Sequence, residues 1–479
     1  MMGVMKNKEL ALGILALLII GIIFISGCIK QEVGKEEEQE SETGFEWFQT
    51  GNIQTITQLQ TKQSIELENN RIGSGIWDGF EEQSESDFTS TMSQSSIFDA
   101  GLDRVRVAIN HLEPPVNWSM PEFSVHPSFD NFITNLADNG VTITYTLSFW
   151  DKAGHAIGEE VSYPRFKTEN QIQRYLDFVQ FIVHHFKDRV QIFEIWNEPD
   201  IEGSIQWIEV EDYINLVKRA VPVIRQEYPE AKIQVGGTTG LRMNSSQRYL
   251  FSILRSDNIM PLVDIVSWHP FFAESPEYQS QYYYEYPSIV ENIKDVASAH
   301  GFEGEYEADE LSWWTPEFQP PDMPGACSSD AICAKYYARG IVMHRGMNIT
   351  VTVITGAITQ PKGIPFTVAV QNLCTIMAGA EPINLPLEIQ SQSTNIKYYT
   401  FSLSNGDNLI ALWTDGVAVD NDPGVNANLT IQGITTQNVT GIDVLNGYQQ
   451  SLTTSNENGN LVIQNLIVRD YPLILHIVK

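Results

Sequence analysis

The stretch Gln191-Ile192-Phe193-Glu194-Ile195-Trp196-Asn197-Glu198-Pro199 says more about this chain than any other nine residues in it. An apolar, β-favouring run passes directly into a polar pair and then a proline. Proline has no N–H to give to a ladder, so the strand ends there. Asn197 and Glu198 therefore stand at the C-terminal end of a strand. A carboxyl beside a tryptophan and beneath a loop loses part of its hydration, which favours its protonated form. That is the form a general acid needs at neutral pH.

The surrounding sequence repeats the same layout. Short β-rich runs occur at Arg71–Ile76, Arg104–Ile109, Val141–Leu147, Val190–Ile195, Lys232–Val235, Val263–Trp268, Gly304–Asp309 and Asn348–Ile354. Between them lie helical stretches, among them Phe129–Asp138, Asn170–Phe186, Glu211–Glu227, Ile289–His300 and Ala331–Met343. In Asn170–Phe186 the residues Ile172, Tyr175, Leu176, Val179 and Ile182 recur at helical spacing. Eight β-then-α units predict an α/β fold, a closed (β/α)8 barrel rather than an open sheet. Active sites of such barrels gather at the C-terminal strand ends, which is where Glu198 falls, on the fourth strand.

A second carboxylate is expected from another strand end. The seventh strand, Gly304-Glu305-Tyr306-Glu307-Ala308-Asp309-Glu310-Leu311-Ser312-Trp313, carries four acids before Leu311. Alternation puts Glu305, Glu307 and Asp309 on one face and Tyr306, Ala308 and Glu310 on the other. Tyr306 and Ala308 are the better core-facing pair, which places Glu310 inward and near the mouth, with Glu307 as its rival. Two carboxyls flanking one bond are what glycosidic hydrolysis requires.

Trp196-Asn197-Glu198-Pro199 resembles the Asn-Glu-Pro signature of the clan A glycoside hydrolases, and Asp309-Glu310 is similar to that clan's nucleophile pair on strand seven. Ser267-Trp268-His269-Pro270-Phe271 resembles the clan's strand-six segment, and Val105-Arg106-Val107 its strand-two arginine. The C-terminal Ala411-Leu412-Trp413-Thr414-Asp415-Gly416 resembles family 39 and its neighbours. The resemblance implies a TIM barrel that cleaves β-glycosidic bonds of oligo- or polysaccharides with retention of configuration. It implies Glu198 as acid/base, Glu310 as nucleophile, Asn197 on the sugar 2-hydroxyl, Arg106 behind the nucleophile and His269 near the sugar, with no cofactor and no metal. The chain departs from the clan at strand eight, which ends in Thr355-Gly356-Ala357 where many members place a tryptophan. A non-catalytic carbohydrate-binding or cell-envelope protein on a degenerate barrel, or a transglycosylase using the same residues, would share much of this pattern. Arg106 and His269 also have plain structural readings, as an interior salt bridge and a satisfied core histidine.

Tryptophans cluster at the predicted strand ends, and their faces stack on the apolar faces of sugar rings. Trp77, Trp150 and Trp313 are the expected sugar contacts among them. Tyr282, Tyr283 and Tyr284 form an aromatic cluster read as loop, packing rather than binding.

After residue 384 helical periodicity stops. Runs such as Lys397–Leu403 and Asn408–Trp413 alternate between Asn-Gly and Asp-Gly turns, which predicts an antiparallel β-sandwich over 384–479 following a barrel over 65–383. Residues 1–28 hold Lys6 and Lys8, an uncharged run and Ile25-Ser26-Gly27-Cys28, fitting a lipoprotein signal lipidated at Cys28 or an uncleaved membrane anchor. Either leaves the remainder tethered outside the cytoplasm. Residues 29–64 read as an acidic linker, although 47–66 also fit a strand lent to the second domain. Cys327 and Cys333 are close enough in sequence to pair in an oxidising compartment, and Cys374 lies in an apolar helical stretch. Net charge is −31 over 479 residues, which excludes nucleic acid as a partner because phosphate binding needs basic patches. Oligomeric state is not written in these features.

Overall fold

The computed structural model describes residues 47–76, 94–108, 116–117, 123–148, 164–315, 325, 327–354 and 365–479. Within them lie eight parallel strands: β1 (Ile72–Ile76), β2 (Arg104–Val107), β3 (Thr142–Thr146), β4 (Ile192–Glu194), β5 (Lys232–Thr238), β6 (Ile265–Trp268), β7 (Glu305–Ser312) and β8 (Thr350–Ile354). Each pairs with the next, and β8 returns to β1, closing a barrel. Each is followed by a helix: α1 (Gln94–Asp99), α2 (Pro127–Asp138), α3 (Glu169–Phe186), α4 (Val210–Glu227), α5 (Asn244–Leu254), α6 (Ser280–Ala299), α7 (Asp330–Gly346) and α8 (Pro365–Met377). This is a (β/α)8 TIM barrel, with a separate set of antiparallel sheets beyond it.

Local chemistry explains how individual helices hold the strand ends. In α3, Thr168 caps the first turn and Gln171 returns the bond to Thr168, a reciprocal capping box. The apolar stripe of α3 faces the barrel, and Tyr175 Oη donates to the Leu147 carbonyl at 2.9 Å. From α4, Tyr213 Oη donates to the Ile195 carbonyl at 2.7 Å. Two helices thus tie down the exits of β3 and β4 from behind. The tyrosine cluster read as loop is the first turn and a half of α6. Tyr282, Tyr283 and Tyr286 are buried there and Tyr284 is exposed, so a three- and four-residue spacing was present but crowded by Pro287.

The barrel interior is polar. Side chains facing the helices are apolar, such as Val105, Ile143, Phe193, Val235, Val266 and Val351. Those facing the axis include Arg106, Thr146, Glu194, Gln234, Glu307, Asp309 and Thr352, joined by hydrogen bonds. The expectation for β7 is therefore corrected. Tyr306 does face the core, but the core between sheet and helices: its ring lies tilted against Trp268 and edge-on to Phe302, under Lys294 of α6. Glu307 and Asp309 are the axis-facing pair. Glu310 reaches the same side by a different route, since the β7–β8 register slips by one residue between Ala308 and Leu311. A bulge of this kind re-aims a side chain, so two consecutive acids both point inward.

Beyond the barrel, β9 (Glu381–Ile383), β10 (Leu387–Ser391), β11 (Ile396–Ser402), β12 (Asn408–Thr414), β13 (Val425–Ile431), β14 (Val439–Asp443), β15 (Tyr448–Ser451), β16 (Thr454–Glu457), β17 (Asn460–Val468) and β18 (Leu473–Ile477) form two antiparallel sheets. A second core lies between them, with Ile410, Leu412, Leu429, Ile463 and Leu475. Phe48 belongs to that core, and Ile56–Gln58 adds an edge strand to β15. The linker boundary at 64 is thus too late: from Phe48 the chain is already sandwich, because an apolar side chain and a β-capable run find partners there. Cys327 and Cys333 are disulfide-bonded, fastening the segment after β7 to the first turn of α7, and Cys374 is a buried thiol. Residues 1–28 with Cys28, and Trp77 and Trp150, lie outside the described residues.

Candidate active site

Glu198 follows β4 in a turn of unusual backbone. Trp196 (φ 70°) and Glu198 (φ 46°) both take the left-handed region, which costs a non-glycine residue free energy that its surroundings must supply. The Trp196 ring is buried among Phe166 and Tyr175 and its Nε1 donates to the Gln206 carbonyl at 2.8 Å, while Glu198 N–H donates to Gly237 O at 2.8 Å. Gly237 sits in a second bulge, in β5, where a Cβ would lie 2.7 Å from Glu194 Oε1. Only glycine leaves room for the carboxylate there.

Arg106 is the hub, with its side chain 1% exposed. Its Nε and Nη2 donate to the two Glu194 oxygens at 2.7 and 2.9 Å, Nη1 to Glu310 Oε1 at 2.6 Å, and Nη2 also to Asn197 Oδ1 at 2.7 Å. A planar guanidinium with five N–H groups suits this fan of acceptors. Burial alone would disfavour its charge, but the carboxylates of Glu194, Asp309 and Glu310 outweigh burial and hold it firmly cationic. Thr146 Oγ1 also donates to Glu194 at 2.6 Å. Burial pushes Glu194 up, yet Arg106 and these bonds bring it net below the usual carboxylate range.

His269, fully buried, lies between the carboxylates. Its Nδ1 is 3.2 Å from Glu198 Oε1 and 3.5 Å from Glu310 Oε2, and its Nε2 is 3.6 Å from Asp309 Oδ1. Burial opposes charge on the ring, but Glu310 and Asp309 win and push it up to about 9. Burial raises Glu310 above the ordinary range, with His269 and Arg106 as the opposing cations that favour its ionised form. Asp309 is pushed up to about 8, mainly by burial, against the opposing pull of Arg106 and His269. Glu307 points lower into the barrel, accepting from Thr352 Oγ1 at 2.7 Å, and is away from Glu198.

One atom each from Glu198, His269 and Glu310 lie within 4.8 Å of one another. A metal ion could in principle use that spacing. A metal there would have to displace the proton that the neighbouring Glu310 and Asp309 carboxylates favour on His269, since a protonated imidazole has no lone pair.

A stability test follows from the raised groups. An acid that is raised when folded binds its proton more tightly in the native state, so it stabilises fully below its unfolded value and that contribution is lost as pH rises through the folded one. For Asp309 the window runs from 3.8 to about 8, and for His269 from 6.5 to about 9. The fall in Tm from pH 4 to pH 8 should be shallower in Asp309→Asn than in the wild type, measured by thermal denaturation. Identical slopes would count against a protonated Asp309.

Of the side chains expected from sequence, the structure brings Arg106, Asn197, Glu198, His269 and Glu310 together. Trp313 is corrected. It is 3% exposed, stacked on Phe271 and packed on Tyr336 and Tyr337, and its Nε1 donates to Glu274 O at 3.0 Å. The bulge in β7 shifts the alternation and turns it into the core. The next residue, Trp314, is half-buried and stacks with half-buried Phe272, which meets the His269 ring edge-on. Sequence reading gave no role to Glu194 or Gln206. Gln206 carries no local signal, since only the fold of the loop after β4 returns it to Glu198.

Residues 119–301 match the profile of glycosyl hydrolases family 39. No curated protein sequence matches the chain. Among solved structures, a family 39 glycoside hydrolase from Bacteroides cellulosilyticus WH2 is similar with a TM-score of 0.62 and 16% identity, covering 88% of this chain and 83% of that one. A GH30 endoxylanase from Clostridium papyrosolvens C71 gives 0.55 and 12%, covering 88% and 100%. An endo-β1,6-glucanase gives 0.51 and 10%, covering 88% and 92%. These likenesses speak to the fold, while the family match spans the segment that contains Asn197, Glu198 and His269. Residues 119–301, less than half of the chain, thus resemble the family 39 glycosyl hydrolases, and the solved structures share its barrel fold.

Proposed function

We propose that the chain is a retaining hydrolase of β-glycosidic bonds in oligo- or polysaccharides, with Glu198 as acid/base and Glu310 as nucleophile. The observation that carries this reading is the spacing: a Glu198 oxygen and a Glu310 oxygen lie within 4.8 Å. Inverting enzymes need roughly 6.5–9.5 Å to seat a water between the carboxyls, and retaining ones about 5–5.5 Å. A Glu310 oxygen bonds the anomeric carbon as the glycosidic C–O bond breaks. The electron pair goes to the leaving oxygen, which takes the Glu198 proton. Glu198, now a carboxylate, removes a proton from water, and that water releases the sugar from Glu310. Arg106 and His269 hold the nucleophile.

The N-terminal basic, apolar and Cys28 pattern supports export with a lipid or helical tether at the outer membrane face. The Cys327–Cys333 bond accords with an oxidising compartment.

The test is product stereochemistry by proton NMR during hydrolysis, with β-anomer first expected and α-anomer first overturning retention. Glu198→Gln should cut kcat/KM about 10²–10⁴-fold on phenyl glycosides and far less on dinitrophenyl glycosides, whose leaving group needs no proton. Equal losses on both would remove Glu198 from the acid role.

A further inference from the structure

We propose that Gln206 is a positioning residue for Glu198, fixing which carboxyl oxygen is turned to the leaving group; this rests on Glu198 being the acid/base. The loop Ile201–Glu209 folds back over β4, with Ile208 N–H donating to Pro199 O at 2.9 Å and Trp196 Nε1 to the Gln206 carbonyl. That brings the Gln206 side chain between the two residues of the Asn-Glu pair. Its Nε2 donates to Glu198 Oε2 at 3.1 Å, and its Oε1 accepts from Asn197 Nδ2 at 2.9 Å.

The orientation of both amides is forced rather than chosen. Arg106 has donors and no acceptor, so the Asn197 group facing its Nη2 at 2.7 Å must be the carbonyl oxygen. Asn197 then presents its NH2 to Gln206, and Gln206 must answer with its carbonyl oxygen. The only part of Gln206 left for Glu198 is the NH2. A fixed chain of donors and acceptors thus runs from Arg106, which also holds Glu310, through Asn197 and Gln206 to Glu198.

The consequence for Glu198 is asymmetric. Oε2 is occupied by the Gln206 amide, and Oε1 is the oxygen that faces His269 Nδ1 and the Glu310 side of the site. A carboxyl has two oxygens and a rotatable terminal torsion, which in an exposed glutamate is broad. Glu198 is not fully buried, with 16% of its side chain exposed, so packing alone does not fix that torsion. An amide clamped at its far end does. The proton is then carried on the oxygen turned toward the scissile bond, and a misturned acid delivers it poorly even when the site is otherwise intact.

The test uses the full enzyme and matched 2,4-dinitrophenyl and phenyl β-glycosides of a sugar the wild type cleaves, chosen from glucoside, xyloside and mannoside. The quantity read is kcat/KM, which reports bond cleavage rather than release of the sugar from Glu310. Gln206→Met removes both amide functions at similar length, and Gln206→Glu keeps the acceptor for Asn197 and replaces the donor to Glu198. We expect both variants to lose about 10- to 100-fold on the phenyl glycoside and less than about 3-fold on the dinitrophenyl glycoside. A loop that merely supports the fold would lower both substrates together, and that outcome, or wild-type rates on the phenyl glycoside in Gln206→Glu, overturns the inference. Glu198→Gln in the same assay separates the two levels. If it shows no leaving-group dependence, the acid/base assignment itself fails; if it does and the Gln206 variants do not, only the role of Gln206 fails.

Discussion

Glu310→Ala should lower turnover on an aryl β-glycoside on the order of 10⁵-fold, the scale reached when a covalent nucleophile is removed, or about 7 kcal/mol of barrier. The loss is this large because, among the described residues, the other acids of β7 are held elsewhere. Asp309 and Glu307 are also buried acids on β7, but Asp309 sits against Gln234 and His269 and Glu307 against Thr352. The cavity left by Glu310→Ala should accept azide, which would attack the anomeric carbon from the vacated side. Rescue by azide with formation of the α-glycosyl azide is the expected product. More than about 1% of wild-type turnover without azide, or a β-glycosyl azide, would remove Glu310 from the nucleophile role and reopen it for its neighbours.

Arg106→Met should be the most destabilising single change in the barrel. The guanidinium neutralises buried carboxylates on two different strands, Glu194 on β4 and Glu310 on β7, and orients Asn197. Removing one partner of a buried ion pair costs roughly 3–5 kcal/mol, because a charge is left buried without compensation. Urea unfolding measures it. The double variant Arg106→Met/Glu194→Gln should be more stable than Arg106→Met alone, since it also removes an orphaned charge. A single-variant cost under about 1 kcal/mol would mean that water or protonation replaces the arginine easily, and the hub would then be incidental to stability. Activity should fall in both variants, because Glu310 and Asn197 lose their common donor.

The alternation of β-runs and helical stretches, with the proline after Glu198, was enough to read the barrel and its mouth from sequence. Each of the eight expected strands has an observed counterpart whose ends move by only a few residues. The contents of the barrel were harder. Glu194, Thr146 and Gln234 look in sequence like polar residues interrupting strands, and only the closed sheet shows that they meet Arg106 and Asp309. On β7 the period of two grouped Glu307 with Asp309 correctly, but the polar barrel axis takes those two while Tyr306 and Ala308 face the helices, and the one-residue bulge that turns Glu310 inward as well is invisible to a periodicity count. The same slip hid the burial of Trp313. Gln206 was unreadable for another reason: its contacts depend on loop closure, which no short-range pattern encodes.

The sandwich has a consequence for how this protein can be made and cut. Gln49 Nε2 donates to Thr453 O, 404 positions later in the chain, and Phe48 fills the core that Leu475 also lines. The barrel is therefore an insertion: the ribosome delivers the sandwich's first contribution, then the whole barrel, and only then the strands that receive it. A fragment begun at residue 384 would emerge with an unpaired flank and a hole where Phe48 belongs. Truncation at that seam, a natural choice for separating the two halves, should yield an aggregating product, whereas joining residues 47–58 to such a fragment by a flexible tether should restore it.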